Sequence, residues 1–231
     1  MSDPPRPRVA IVDYGMGNLF SVDQACQYVG LRTVITSSRR EIWGADAVVL
    51  PGVGAFGNAM ETLERLDLAS LLRDVAASGK PLVGICLGMQ LLMAESQEFG
   101  RHRGLGIIQG EVVSLESATD GPRTLKVPQV GWNRICWAGL TCQGDDKQAG
   151  GSSWDASLLH GIANGEYMYF VHSFYPKPND KGVIAATTPY GPIDFCSSLS
   201  FGNVFGCQFH PERSGAAGLR VYRNLAQLLG I

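Results

Sequence analysis

Four short apolar runs, RVAIVDYG, TVITS, ADAVVLPG and KPLVGIC, alternate with helical patterns in the N-terminal half of this chain. A strand with one wet face alternates apolar and polar residues. These runs do not, so both of their faces must be covered. Strand–helix alternation of this kind meets that need with a parallel sheet carrying helices on both sides. The helical patterns between the runs are NLFSVDQACQYVG, closing on Gly30, and the long stretch GNAMETLERLDLASLLRDVAASG, closing on Gly79. After the fourth run, LGMQLLMAESQEF also reads as a helix. The C-terminal half changes character. GLGIIQGEVVSL, KVPQVGWNRICW, EYMYFVHSFYP, GVIAATTPYG and IDFCSSLSFGNVFGCQFHPE are strand-like with few helices between them, and AGLRVYRNLAQLLG is a closing helix. The expectation is an α/β fold: an open, mostly parallel central sheet with helices on both faces and a mixed or antiparallel C-terminal portion. No linker marks a boundary, so residues 1–231 are read as one domain. Residues 1–7 are read as a flexible lead and 139–155 as an exposed polar loop.

Ligands of such sheets sit beyond the carboxyl ends of the strands. One of those ends is VGICLGMQ (83–90). The turn from strand to helix is tight there, and it strains its apex residue. Gly84 and Gly88 flank Cys86 at two residues on either side, which relieves crowding because glycine has no Cβ. This is a nucleophile elbow with cysteine at the apex. A sulfur at a helix start is favoured as thiolate, the reactive form. The plainer reading is a packed core thiol with the glycines serving only helix–sheet contact.

A cysteine nucleophile needs a base, and the base needs an orienting group. The chain has four histidines. His102 lies in a charged loop and reads as solvated. His160 reads as a helix-end residue. His172 lies inside an apolar strand. His210 ends the strand NVFGCQFHPE, where it can face the same crevice as Cys86, and Glu212 follows two residues later. Glu212 can hold the imidazole from its far side, as the acidic member of a triad does. In the plainer reading His210 ends a strand and Glu212 is a surface acid. The glycine-rich loop LPGVGAFGN (50–58) can turn backbone N–H groups toward a developing oxyanion. As a nucleotide fingerprint it is weak, since it lacks a P-loop lysine and the acid of a dinucleotide site.

Composition narrows the partners. The formal net charge is −2, and no basic cluster suggests a nucleic-acid surface. No run is long enough to span a membrane, and MSDPPRPR is no signal peptide, so a cytoplasmic location is expected. The six cysteines (26, 86, 136, 142, 196, 207) form no CxxC pair and read as mostly reduced thiols, without a metal site or cofactor.

GICLGMQLL, PGVGAFGNAM, KVPQVGWN, YFVHSFY, FGCQFHPERSG and the opening VAIVDYGMGNL together resemble class I, triad glutamine amidotransferases. Within that class they are similar to the glutaminase subunits of imidazole glycerol phosphate synthases, over nearly the whole chain. The resemblance implies that the Cys86 thiolate attacks the side-chain amide of glutamine, with His210 as acid and base and Glu212 orienting it. It implies an oxyanion site from the Gly52–Val53–Gly54 turn and Leu87, and substrate contacts from Gln90, His172 and Ser173. It implies docking on a (β/α)₈ cyclase that receives the ammonia, with Tyr14, Asn18, Trp132, Asn133 and Tyr169 on the docking face. For Tyr169 a place in the aromatic core is the competing reading. Three departures stand out: Arg213 where lysine is usual, Gln129 and Val130 where His and Met are common, and a longer 141–153 loop. They leave room for a glutaminase serving another synthase. A stand-alone γ-glutamyl hydrolase is a further alternative, in which DYGMGNL and VGWN have no role.

Overall fold

The structure is a computed structural model and describes residues 6–115, 126–139, 154 and 157–231. The first half alternates as expected. β1 (Arg8–Val12), α1 (Leu19–Tyr28), β2 (Arg32–Thr36), α2 (Arg39–Trp43), β3 (Ala47–Gly52), α3 (Phe56–Arg65), α4 (Leu68–Ala77), β4 (Leu82–Cys86) and α5 (Leu87–Leu91) follow in order. Then come β5 (Met93–Ser96), β6 (His102–Arg103), β7 (Ile108–Ser114), β8 (Gln129–Trp137), β9 (Glu166–His172) and β10 (Phe174–Pro178). β11 (Ile184–Tyr190), β12 (Ile193–Phe201), β13 (Val204–Cys207) and α6 (Gly215–Leu228) complete the described elements.

The larger sheet has nine strands among the described residues, in the order β2-β1-β3-β4-β13-β12-β11-β8-β9. Its first five positions pair in parallel, and the pairings from β13 to β9 are antiparallel. A smaller sheet, β10-β7-β5-β6, forms a second layer. Successive residues of the central strands point to opposite faces. Val9, Ile11, Val49 and Ile85 pack with Val22, Cys26, Val221 and Leu225 from α1 and α6. Ala10, Val12, Val48 and Leu50 pack with Leu63, Leu72 and Met89 from α3, α4 and α5. This is why the strands are apolar throughout. No described helix is long and apolar enough to cross a membrane.

Two helical readings need correction. The 57–79 stretch is two helices, broken at Asp67, which takes φ 55°. Aspartate tolerates that left-handed conformation better than most residues. The helix after Cys86 ends at Leu91, and Met93–Ser96 pairs instead with β7 as β5. Leu91, Leu92 and Met93 are all fully buried. A strand ladder there satisfies the backbone while burying that run, and it overrides the helical propensity of Leu, Met and Glu.

The expected exposed loop lies largely outside the described residues, but its Trp154 does not fit that reading. Trp154 is 1% exposed, and its indole N–H donates to Ala185 O at 2.7 Å. Of the 1–7 lead, residues 1–5 lie outside the described residues, and the Pro7 carbonyl already accepts from Arg32 N at 3.2 Å. His102 is not a free loop residue. It lies half-buried in β6 with its ring against Gly57, where a Cβ would come within 2.7 Å of the imidazole. Cys26, Cys86, Cys196 and Cys207 are free thiols, whereas Cys136 is disulfide-bonded. Residue spacing carries no signal for one isolated bridge. Cys142 lies outside the described residues.

Candidate active site

β4 ends on Cys86, and α5 begins at the next residue. Cys86 itself carries the strain of the junction, with φ 55° and ψ −110°. A non-glycine residue held there costs on the order of 1–3 kcal/mol, which the surrounding packing must sustain. The flanking glycines do a different job. Neither takes a positive φ. A Cβ on Gly88 would fall 1.8 Å from Leu50 O, and one on Gly84 would lie 2.7 Å from the Gly88 carbonyl group. They let α5 lie directly on β3 and β4. The backbone strain of the elbow thus falls on Cys86, and the two glycines allow the close approach of helix and sheet.

His210 follows β13, the parallel neighbour of β4. Its backbone is clamped: its N–H donates to Tyr169 O at 2.9 Å, and its carbonyl accepts from Ser214 Oγ at 2.7 Å. Ser214 Oγ in turn accepts from Tyr169 N at 3.0 Å. The imidazole Nδ1 lies 2.8 Å from Glu212 Oε1, so Nδ1–H donates to the carboxylate and Nε2 is left to act. Both side chains are buried, at 5% and 1% exposure. Burial pulls the His210 pKa down, but contact with Cys86 and then Glu212 overcomes it and raises the value to about 10. The imidazole is thus set up to hold a proton beside the sulfur. Burial pushes the thiols of Cys26, Cys196 and Cys207 up to about 12.

A cavity of about 300 Å³ opens at Cys86, and Val53, Gly54, Leu87, Gln90, His172 and Ser173 all line it. Most residues expected to touch a substrate or an oxyanion therefore meet at one place. Gly52 does not line it. It ends β3 in register with Cys86, and a Cβ there would meet Tyr14 Oη at 2.5 Å and Leu87 Cβ at 2.9 Å. Glu98, which sequence reasoning missed, also lines the cavity and accepts from Phe56 N, at the start of α3, at 2.5 Å. Its only signal was an acidic residue in a stretch misread as helix. Gln208 was missed as well, although it precedes His210 by two residues and so shares its side of the chain.

His172 is held differently from His210. Its Nδ1 lies 2.9 Å from Phe174 O, so that nitrogen carries the hydrogen. Burial lowers its pKa to about 4, against a smaller upward pull from that hydrogen bond. It stays neutral near pH 7. A histidine ordinarily titrating near 6.5 but held down to about 4 when folded contributes stability above the unfolded value, and loses it as pH falls through that window. The loss is on the order of 3 kcal/mol between those two pH values. Urea titrations at near-neutral and mildly acidic pH should show wild type losing more stability than His172→Gln. Equal losses would remove His172 as a source of acid lability.

The docking-face expectations divide. Tyr14 is core: it is 3% exposed, and its hydroxyl donates to Pro51 O at 2.9 Å. Burial and the neighbouring Cys86 keep it protonated. Asn133 spends its amide on its own surroundings, donating to Pro189 O at 2.9 Å and accepting from Arg134 N at 2.8 Å. Asn18 is half-buried at the start of α1. Trp132 is 55% exposed and meets Tyr169 edge-on, with ring centroids 6.0 Å apart. Arg213 lies over the Tyr169 ring, its guanidinium carbon 4.5 Å from the ring centroid. Either cation is attracted to a ring face, but only the planar guanidinium can also stack on it.

The sequence from residue 10 to residue 226 matches the family model described as "Glutamine amidotransferase class-I". The chain belongs to that family. Among its class-I relatives is the "Imidazole glycerol phosphate synthase subunit HisH" of Chlorobium luteolum, 44% identical over 219 residues, covering 95% of this chain and 99% of that one. The protein of the same name from Aquifex aeolicus is 42% identical, covering 94% of this chain and 95% of its own. A solved structure titled "Crystal structure of glutamine amidotransferase" superposes with a TM-score of 0.68 at 17% identity, over 96% of this chain and 99% of that one. That likeness speaks for the fold alone.

Proposed function

We propose that this chain is the glutaminase subunit of an imidazole glycerol phosphate synthase, working in the cytoplasm. The observation that carries it is the meeting of Cys86 and the His210–Glu212 pair at one cavity, in a chain whose close relatives bear that subunit's name. The Cys86 sulfur forms a bond to the side-chain carbonyl carbon of glutamine. The carbon–nitrogen bond breaks, and His210 gives its proton to the departing ammonia. His210 then takes a proton from water, the hydroxide adds to the thioester carbon, and the carbon–sulfur bond breaks to give glutamate and the Cys86 thiolate beside protonated His210. Gln90, Ser173 and Glu98 line that cavity, and in this reading they meet the polar amino-acid end of glutamine. Val53, Gly54 and Leu87 offer their backbone N–H groups to the oxyanion.

Ammonia released into water is protonated and lost as a nucleophile. The exposed hairpin face of Val130 and Trp132 with Val171 suits a partner that covers the site and takes the ammonia. In this reading that partner is a (β/α)₈ cyclase subunit. The Val53 side of the loop is exposed, and Gly54 sits at φ +103°, where the peptide can rotate at low cost. Docking then selects the orientation in which a peptide N–H of this loop, and not its carbonyl, faces the oxyanion. One oxyanion donor is worth about 100- to 1000-fold in rate. Glutamate release should rise by at least that order when cyclase and its acceptor nucleotide are added together. Equal rates for the chain alone, with cyclase, and with cyclase plus nucleotide would favour a stand-alone γ-glutamyl hydrolase.

A further inference from the structure

Gln208 is fully buried, and its main-chain N–H continues the sheet by donating to Ser197 O at 3.0 Å. Residues 206, 208 and 210 share one side of this extended segment. Gly206 lies against Met89 of α5, where a Cβ would come within 2.6 Å. Gln208 and His210 therefore both reach the start of α5 and the sulfur of Cys86. The Gln208 Nε2 lies 3.7 Å from Cys86 Sγ, and its Oε1 lies 3.0 Å from Gln90 Nε2.

Chemistry decides which end of each amide is which. A main-chain carbonyl only accepts, and Phe174 O lies 2.8 Å from one terminal atom of Gln90. That atom must be the nitrogen. Its second hydrogen points to Gln208, so the Gln208 atom it meets must be the oxygen. The Gln208 nitrogen is then turned toward the sulfur. Gln90 Nε2 thus donates both ways, to Phe174 O and to Gln208 Oε1, and the Gln208 N–H points onward to the Cys86 sulfur.

We propose that Gln208 is a further catalytic residue, whose amide N–H donates to the Cys86 sulfur and stabilises it as thiolate, with Gln90 fixing the direction of that amide. The inference rests on Cys86 being the nucleophile. Gln90 thereby has two tasks: it lines the substrate cavity with the rest of its side chain, and it sets the Gln208 amide. The thiolate has a donor on one side from Gln208 and the His210 imidazole on another. Both side chains come from the buried segment that continues β13, and Gln90 of α5 holds the amide in place, so the charge on sulfur meets groups that need not reorganise during the reaction.

The test is alkylation of Cys86 in the full chain by iodoacetamide, a small neutral electrophile that needs no glutamine pocket, followed by mass spectrometry. Gln208→Met keeps the volume and removes the donor. Gln208→Glu keeps the shape and turns a carboxylate oxygen toward the sulfur. Near neutral pH both should label Cys86 more slowly than wild type, on the order of 10- to 100-fold, with Gln208→Glu the slower. The gap should narrow in alkaline buffer, where protonation of the sulfur no longer limits the rate. In the assembled enzyme kcat should fall with KM little changed. Wild-type labelling rates in either folded variant would overturn the proposal, and so would a gap that does not close with pH. If one variant fails to fold, the other decides. Failure of the nucleophile reading looks different: Cys86→Ala would then retain turnover while the Gln208 variants behaved in any manner.

Discussion

Replacing His210 by alanine is expected to lower glutamine turnover by at least about 10,000-fold, nearly as far as replacing Cys86 by alanine. Members of a nucleophile–base unit fail together, since neither works without the other. The structure gives this a specific form here. The Nδ1 hydrogen of His210 is committed to Glu212, and among the described residues Nε2 has no partner other than the neighbouring Cys86. His172 is poorly suited to take over. It holds its Nδ1 hydrogen on Phe174 O, and its burial opposes the charged form. Glu212→Gln should cost roughly 10- to 100-fold less than either, because an orienting group is partly replaceable. Steady-state glutamate release by each variant in the assembled enzyme decides. If His172→Ala removed turnover while His210→Ala kept it, the base would be misassigned. If Glu212→Gln were as damaging as Cys86→Ala in a folded protein, orientation would be too small a role for it.

Gly88→Ala is expected to prevent the native elbow from forming, with a stability loss above about 4 kcal/mol or no folded protein at all. On helix propensity alone the change should help, by about 1 kcal/mol. Sterics reverse the sign. The new Cβ would lie 1.8 Å from Leu50 O and 2.8 Å from Leu50 C, and both are backbone atoms of β3, a buried central strand. No side chain can swing aside, so β3 and α5 must separate. That motion opens the core beneath Cys86. Urea unfolding and the yield of folded chain measure it. A melting temperature within a few degrees of wild type would show that α5 is not pressed on β3 as described.

Much of this protein can be read from its residues. The parallel half was legible because its strands are apolar on both faces, and only a doubly covered sheet needs that. The cysteine elbow, His210 and Glu212 were legible as local spacings: glycines two residues either side of Cys86, a histidine at a strand end, an acid two residues on. The tertiary structure decided what depends on distant partners. Met93–Ser96 became a strand because β7 lay beside it to complete a ladder. Tyr14 went to the core because its hydroxyl found Pro51 O beneath the loop. Trp154 left the surface because Ala185 O was available to its indole. Glu98 and Gln208 acquired places at the site only when β5 and β13 were brought around α5. Local sequence determines which backbone shapes and which reactive groups a segment can offer. Which of them meet is set by packing across the sheet, because those contacts join residues more than a hundred positions apart, as at Gln90 and Gln208.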